Sequence, residues 1–278
     1  MSRFIGILAL LLPVSVLGDD PLPIHPYLSS KYYASVGLFL PDQDVKLSLD
    51  ATLSVPEGAI IPYYDFSQTF GTKTSDETFS AEIGWRFGKK WQLRGQYFRV
   101  EDKATATLEE DVEWGEYIFN SGSSVGAGTD MQVTRLFFGR HFRSTETGEF
   151  GLGIGSHILD ISAYLEGNAT LSGQDVGFVE ERASISQPLP NFGAWYMHAF
   201  SAKLAVMVRL DWLSASFDKY DGRIVNAAAS LGYSVGDHFG IGLAYNFFEI
   251  DFKIDDEDWR GGIRTRFNGP YISLTGYW

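Results

Sequence analysis

Thr78-Phe79-Ser80-Ala81-Glu82-Ile83-Gly84-Trp85-Arg86-Phe87 alternates without a slip. Successive side chains of a strand point to opposite faces, so Phe79, Ala81, Ile83, Trp85 and Phe87 share one side and Ser80, Glu82, Gly84 and Arg86 the other. After Gly88-Lys89-Lys90 the alternation resumes, with Trp91, Leu93 and Tyr97 opposite Gln92, Arg94 and Gln96. Two such runs across so short a break read as a hairpin. The pattern returns at Leu204, Val206, Val208, Leu210 and Trp212 against Ala205, Met207, Arg209 and Asp211, and at Phe239, Ile241, Leu243, Tyr245 and Phe247 against Gly240, Gly242, Ala244 and Asn246. Each run approaches or exceeds the ~9–11 residues that a tilted strand needs to cross a bilayer, longer than most strands of soluble proteins. One wholly apolar face and one mixed polar face on such strands predict an all-β, closed, antiparallel transmembrane barrel.

Composition agrees: aromatics make up 15% of the chain and glycine is abundant, yet hydropathy is near neutral, which suits alternating strands better than apolar helices. Runs at 31–40, 78–87, 91–103, 131–143, 149–165, 186–199, 202–217, 222–235, 238–253 and 260–278 make ten strands, an even number as closure of a bacterial barrel demands. The breaks at 88–90, 144–148, 200–201 and 236–237 are short, whereas 41–77, 104–130 and 166–185 are long, the asymmetry of periplasmic turns and outer loops. Residues 45–54 alternate as well and read as the first hairpin rising beyond the membrane, with a tip near Pro56-Glu57-Gly58. If 45–54 and 59–69 cross instead, the barrel has twelve strands.

Residues 1–18 have the parts of an export signal, with Arg3, the apolar run Phe4 to Leu17, and Val16-Leu17-Gly18 before the expected cleavage. Residues 19–30 then form an N-terminal extension and 31–278 the barrel. Net charge is −13, or −14 without Arg3, with no basic stripe to displace counterions from phosphates; nucleic acid is not an expected partner. There is no cysteine, which removes disulfides, thiolate metal sites, a cysteine nucleophile and a lipoprotein anchor together.

Trp278 ends the chain with Ile272 and Leu274 on the same strand face. A terminal aromatic on an alternating last strand resembles the signal by which bacterial outer-membrane barrels are recognised for assembly, although Gly276 departs from the usual bulky pattern. Phe39-Leu40-Pro41-Asp42 before Leu47-Ser48-Leu49-Asp50, Trp85-Arg86-Phe87-Gly88, Leu210-Asp211-Trp212-Leu213 and Gly269-Pro270 further resemble a family of uncharacterised Gram-negative outer-membrane barrels of the small porin-like or opacity type. That resemblance implies residence in the envelope and the barrel assembly machinery as a transient partner, and it brings no activity with it; a monomer in outer-membrane lipid is expected.

The mixed faces place Glu82, Arg86, Arg94, Arg135, Arg209, Asp211, Arg264 and Arg266 toward the lumen. In a narrow barrel such charges form either a salt-bridged plug or an arginine-lined passage for small anions, and a barrel only slightly wider than eight strands favours the plug. Gly151-Leu152-Gly153-Ile154-Gly155 reads as small lumen-facing residues, not as a phosphate loop. Trp91, Trp212, Tyr245 and Trp278 sit near strand ends, suited to headgroup level. His141, and His157 with Asp160, are the material for a rim hydrolase, but no nucleophile stands at a recognisable spacing. Glu109-Glu110-Asp111, Glu180-Glu181 and Asp255-Asp256-Glu257-Asp258 read as solvated outer loops without the spacing of a calcium site. No cofactor, metal or catalytic residue is expected.

Overall fold

The computed structural model describes residues 24–50, 64–71, 78–88, 90–217, 220–255 and 260–278. The export signal and the hairpin tip at 56–58 lie outside them. The strands are β1 (Tyr32–Phe39), β2 (Asp42–Asp50), β3 (Tyr64–Asp65), β4 (Thr78–Phe87), β5 (Trp91–Thr107), β6 (Val112–Trp114), β7 (Tyr117–Phe119), β8 (Ser124–Ser144), β9 (Gly148–Leu171), β10 (Gln174–Ala199), β11 (Leu204–Phe217), β12 (Tyr220–Ser234), β13 (Phe239–Asp255) and β14 (Arg260–Tyr277). Two short helices, α1 (Pro26–Ser29) and α2 (Phe66–Phe70), accompany them.

β1, β4, β5 and β8 to β14 form a closed antiparallel barrel of 10 strands, and no described helix is long and apolar enough to cross a membrane. Closure runs from Tyr33 opposite Tyr277 to Phe39 opposite Tyr271. There β1 stops and β2 takes over as the partner of β14, from Asn268 opposite Asp42 to Arg260 opposite Asp50. One wall strand is thus interrupted at Leu40-Pro41. Proline has no N–H to give to the ladder, and a Cβ on Gly269 would overlap the Leu40 carbonyl, so the close passage of Leu40-Pro41 beside β14 requires glycine there. Leu40 N–H still donates to Pro270 O at 3.0 Å.

Several strands run past the expected ends at the tall rim. β9 and β10 continue through 166–185 as a hairpin that turns at Ser172-Gly173, so the residues expected to form a long loop there, Glu180 and Glu181 among them, are strand. The stretch at 104–130 contains the small hairpin β6–β7, which folds back onto β9.

In/out polarity is not constant along the strands. Near the short turns the outward face carries Leu93, Phe138, Ile154, Leu210, Leu243 and Leu274, all well exposed, and the inward face carries polar or small residues. Farther up the pattern inverts. On β5 the outward Arg99, Glu101 and Lys103 back onto buried Phe98 and Val100; on β13 the outward Glu249 and Asp251 flank buried Phe248, Ile250 and Phe252; on β14 Arg264 and Arg266 point outward between buried Ile263, Thr265 and Phe267. The change marks where lipid ends, since a strand face must be apolar against hydrocarbon and is free to be charged against water.

Leu243 lies inside the apolar belt and Ser214 outward above it. Arginine at Leu243 is expected to destabilise the folded barrel by about 2–4 kcal/mol and at Ser214 by about 0–1 kcal/mol. Denaturant unfolding from lipid vesicles measures both, and equal losses would refute this placement of the belt.

Candidate functional site

The lumen is filled in three layers. At the tall rim, Phe66 and Phe70 of α2 and Val112, Trp114 and Phe119 of β6–β7 pack with Phe39, Phe98, Val133, Leu159, Ile224, Phe248 and Phe267 from the wall. α2 starts from an Asp65 cap whose carboxylate accepts from Gln68 N–H at 3.0 Å, and it ends at Gly71 with φ +68°, a left-handed turn suited to glycine. Edge-to-face contacts join its rings to the hairpin, Phe66 to Trp114 at 5.7 Å between centroids, and Phe98 to Phe248 across the lumen at 5.7 Å.

Below this lies a buried polar layer. Arg135 donates from Nε and Nη2 to both oxygens of Asp211, at 2.5 and 2.8 Å, a fork-on-carboxylate match with both side chains fully buried. His157 Nδ1 is 3.1 Å from Asn191 Oδ1, and Asn226 Nδ2 is 2.9 Å from its Nε2. Since Asn191 Nδ2 faces the Phe192 carbonyl, the Asn191 oxygen accepts and His157 carries its proton on Nδ1. Glu149 accepts from Arg86 at 2.5 Å and Trp195 Nε1 at 2.6 Å, and stands 2.9 Å from His141 Nδ1. Tyr33 donates to Glu82 at 2.6 Å, and Arg209 approaches the other Glu82 oxygen at 3.6 Å.

Glycine makes room for this packing. A Cβ on Gly84 would overlap the Tyr33 ring, on Gly151 the Trp195 ring, and on Gly153 the Phe137 ring. Gly151 and Gly153 do face inward, where large rings lie flat against the wall.

The third layer is α1, folded up into the barrel from the short-turn rim. Tyr27 packs on Tyr33 at 5.0 Å between centroids and lies under Arg86 and Arg94, 5.0 and 5.9 Å from its ring. His25 Nδ1 accepts from Tyr27 N–H at 3.2 Å, so the proton of the neutral ring is on Nε2, 3.1 Å from Ser234 Oγ. This is the described histidine that does meet a hydroxyl, and its tautomer is wrong for a general base toward Ser234: the nitrogen facing the serine already carries the proton.

Glu82, Arg86, Arg94, Arg135, Arg209 and Asp211 all line this interior. Arg264 and Arg266 do not: they pair on the outer surface with Asp251 at 2.8 Å and Glu249 at 2.6 Å. Periodicity extended from below the boundary put them inside, and the inversion of polarity moves them out. Asp160 also faces outward, accepting from Ser186, on the opposite face from His157. Trp91 and Trp278 stand at the short-turn rim, Trp212 and Tyr245 toward the upper edge of the belt, and Ile272 and Leu274 face out with Trp278. The lumen residues that sequence left unnoticed are Glu149, Trp195, Tyr27 and His25. The first two alternate correctly but resemble any strand residue, and His25 and Tyr27 lie in an extension with no periodicity. Among the described residues no cluster of acidic, His or Cys side chains could hold a metal ion.

This architecture is that of the outer-membrane β-barrel proteins. The protease OmpT of Escherichia coli superposes with a TM-score of 0.57 at 10% identity, over 90% of this chain and 97% of that one. The toluene transporter TodX of Pseudomonas putida gives 0.35 at 8% identity over 90% of each chain, and the attachment invasion locus protein Ail of Yersinia pestis 0.27 at 12% over 87% and 98%. The likeness to OmpT is one of fold and carries no activity across. The sequence matches no family model and no curated protein.

Two outcomes follow. Asp211→Ala strands a buried guanidinium and is expected to cost about 3–5 kcal/mol, whereas the double change Arg135→Met with Asp211→Leu stays near wild type; urea unfolding in vesicles separates them. Burial lowers the His25 pKa below its ordinary 6.5, so the docked plug favours the neutral ring. Docking strength is therefore complete above pH ~6.5 and falls as pH drops below it, where the released histidine takes up a proton first. A single cysteine at Ile24, labelled by a maleimide, should become more reactive at pH 5 than at pH 7.5 after correction for thiolate fraction, and His25→Gln should flatten that difference.

Proposed function

We propose that this protein is a sealed outer-membrane barrel that acts at its tall outer rim and not through its lumen. The observation that carries this reading is the apolar layer, to which wall strands all round the barrel contribute together with α2 and β6–β7. An ion crossing it would be stripped of water with few polar groups to replace its shell, and such a constriction excludes ions by dewetting. Beneath it, most lumen charge is tied up in the pairs of Arg135 with Asp211 and Arg86 with Glu149.

The surface that remains for contact is the part above the belt. The β9–β10 hairpin rises farthest in sequence from the belt and carries Val176 and Phe178 in the open, the latter 70% exposed, beside Asp175 and the Glu180–Arg182 pair. Short turns facing the periplasm and tall hairpins facing outward fit the usual orientation. In this reading the chain is exported by residues 1–18, sits as a monomer in outer-membrane lipid, and meets the assembly machinery through the last strand, with Ile272, Leu274 and Trp278 on its outward face.

The test is conductance in planar bilayers of refolded protein whose barrel is verified by circular dichroism and heat-shifted electrophoretic mobility. Silent membranes are expected. Steady openings whose size or ion preference changes in Arg94→Ala and Arg209→Ala would overturn the sealed barrel in favour of a narrow arginine-lined channel.

A further inference from the structure

Below the apolar layer, beside the β11–β14 wall, small inward residues such as Ala205, Ala228, Ser230 and Gly242 leave an internal cavity of about 130 Å³. Its donors outnumber its acceptors. Arg94 is 1% exposed, yet its fork reaches only the Gln92 amide oxygen at 3.0 and 3.2 Å, and its remaining Nη1 meets the Met207 sulfur at 3.8 Å. Trp195 and Tyr27 flank it with ring faces. Arg209 is 7% exposed, and its Nε has no hydrogen-bond partner among the described residues; the buried Tyr27 hydroxyl has none either. All three side chains line this one cavity. Against them stand the Glu82 carboxylate, already held by Tyr33 and Arg209, and the Gln96 amide oxygen, which has no partner among the described residues.

Charge points the same way. In this lower lumen four guanidiniums, Arg86, Arg94, Arg135 and Arg209, face three carboxylates, Glu82, Glu149 and Asp211, and each carboxylate has its own arginine: Arg209, Arg86 and Arg135. Arg94 is left over, and His141 adds no anion to the count because it shares Glu149. A guanidinium stays charged at any pH the protein meets, so it cannot escape burial by losing its proton as a lysine could. Burying a cation is costly; Glu82 and Glu149 attract the Arg94 guanidinium only from beyond ion-pairing distance, and a small anion that accepts from Arg94, Arg209 and Tyr27 would offset more of that cost.

We propose that this cavity is a binding site for a small monovalent anion, a halide or short carboxylate, held by Arg94, Arg209 and the Tyr27 hydroxyl. Access is from the short-turn rim. A recess there, lined by Lys31, Arg86 and His141, borders α1, and the Tyr27 ring carries Arg86 of the recess and Arg94 of the cavity within 6 Å of its centre. Cations thus lead inward from the mouth, and displacement of α1 opens the way. The apolar layer above closes the other end, so the site fills and empties on one side of the membrane.

The probe is chloride, added to refolded full-length protein in a zwitterionic detergent at constant ionic strength with gluconate as the bulkier reference anion. Wild type should give a saturable excess in the chloride NMR linewidth, displaced by acetate, and its thermal unfolding midpoint should rise with chloride by mass action. Arg94→Met should bind chloride about tenfold or more weakly. Its midpoint should show no response to chloride. Arg140→Met, on the outer surface against Trp91 and Phe142, keeps the wild-type response. If Arg94→Met fails to fold, Tyr27→Phe, which removes only the hydroxyl, should still weaken chloride binding. Folded wild type without saturable excess, or the same excess in either lumen variant, would overturn the site; failure of acetate to compete would overturn the carboxylate part of the assignment.

Discussion

The structure rests on one demand, that no backbone amide or carbonyl be left unpaired where water cannot reach it. A sheet in lipid meets that demand only by closing on itself. Here closure falls between Tyr32–Phe39 and the last residues of the chain, so neither end of the sequence can be ordered in the wall without the other. The break at Leu40-Pro41 beside Gly269-Pro270 is where the demand relaxes. Above it the partner of β14 changes from β1 to β2, and α2 packs against β2, β3, β5 and β8 where the wall strand β4 no longer reaches.

Closure creates an interior that must also be satisfied, and the barrel solves this differently at different heights. Within the belt the outward face is committed to lipid, so the polar side chains of each strand have nowhere to go but in. They are tolerated because they pair: Arg135 with Asp211, Arg86 with Glu149, His157 between two asparagines. Above the belt the outward face takes the charge, and the interior can be an ordinary apolar core. The molecule is in effect a water-soluble β-structure set on top of a membrane barrel, sharing continuous strands.

That division bears on function. The proposal of a sealed barrel rests on a lumen with an apolar layer at one end and a folded-back helix at the other, and it turns attention to the rim outside and to the lower lumen inside. Beyond its continuity with β1, the plug is held by side-chain contacts, His25 on Tyr27 N–H and Tyr27 beneath two arginines. It is the part of the interior whose release would demand least of the wall.

Much of the wall was legible from local sequence, because alternation is a property of neighbours along one strand. The face assignments of Glu82, Arg94, Arg209 and Asp211 follow from residues within a few positions, as do the short turns and the outward Ile272, Leu274 and Trp278. Arg264 and Arg266 were not legible in this way. Their alternation is as regular as that of Arg209, but its meaning reverses at a boundary fixed by where the bilayer stops, which no single strand states. The same holds for the hairpin at 166–185, read as loop because its polar outer face hides the strand pattern. Sequence by itself determined that this chain closes into a barrel with charge in its lumen, since lipid imposes a period of two on every wall strand. Only the tertiary structure decided which charges meet, that Arg94 has no carboxylate of its own, and that α1 and α2 fill the two ends. Those pairings join residues far apart in the chain, and they depend on the order of strands around a closed ring, which only folding brings about.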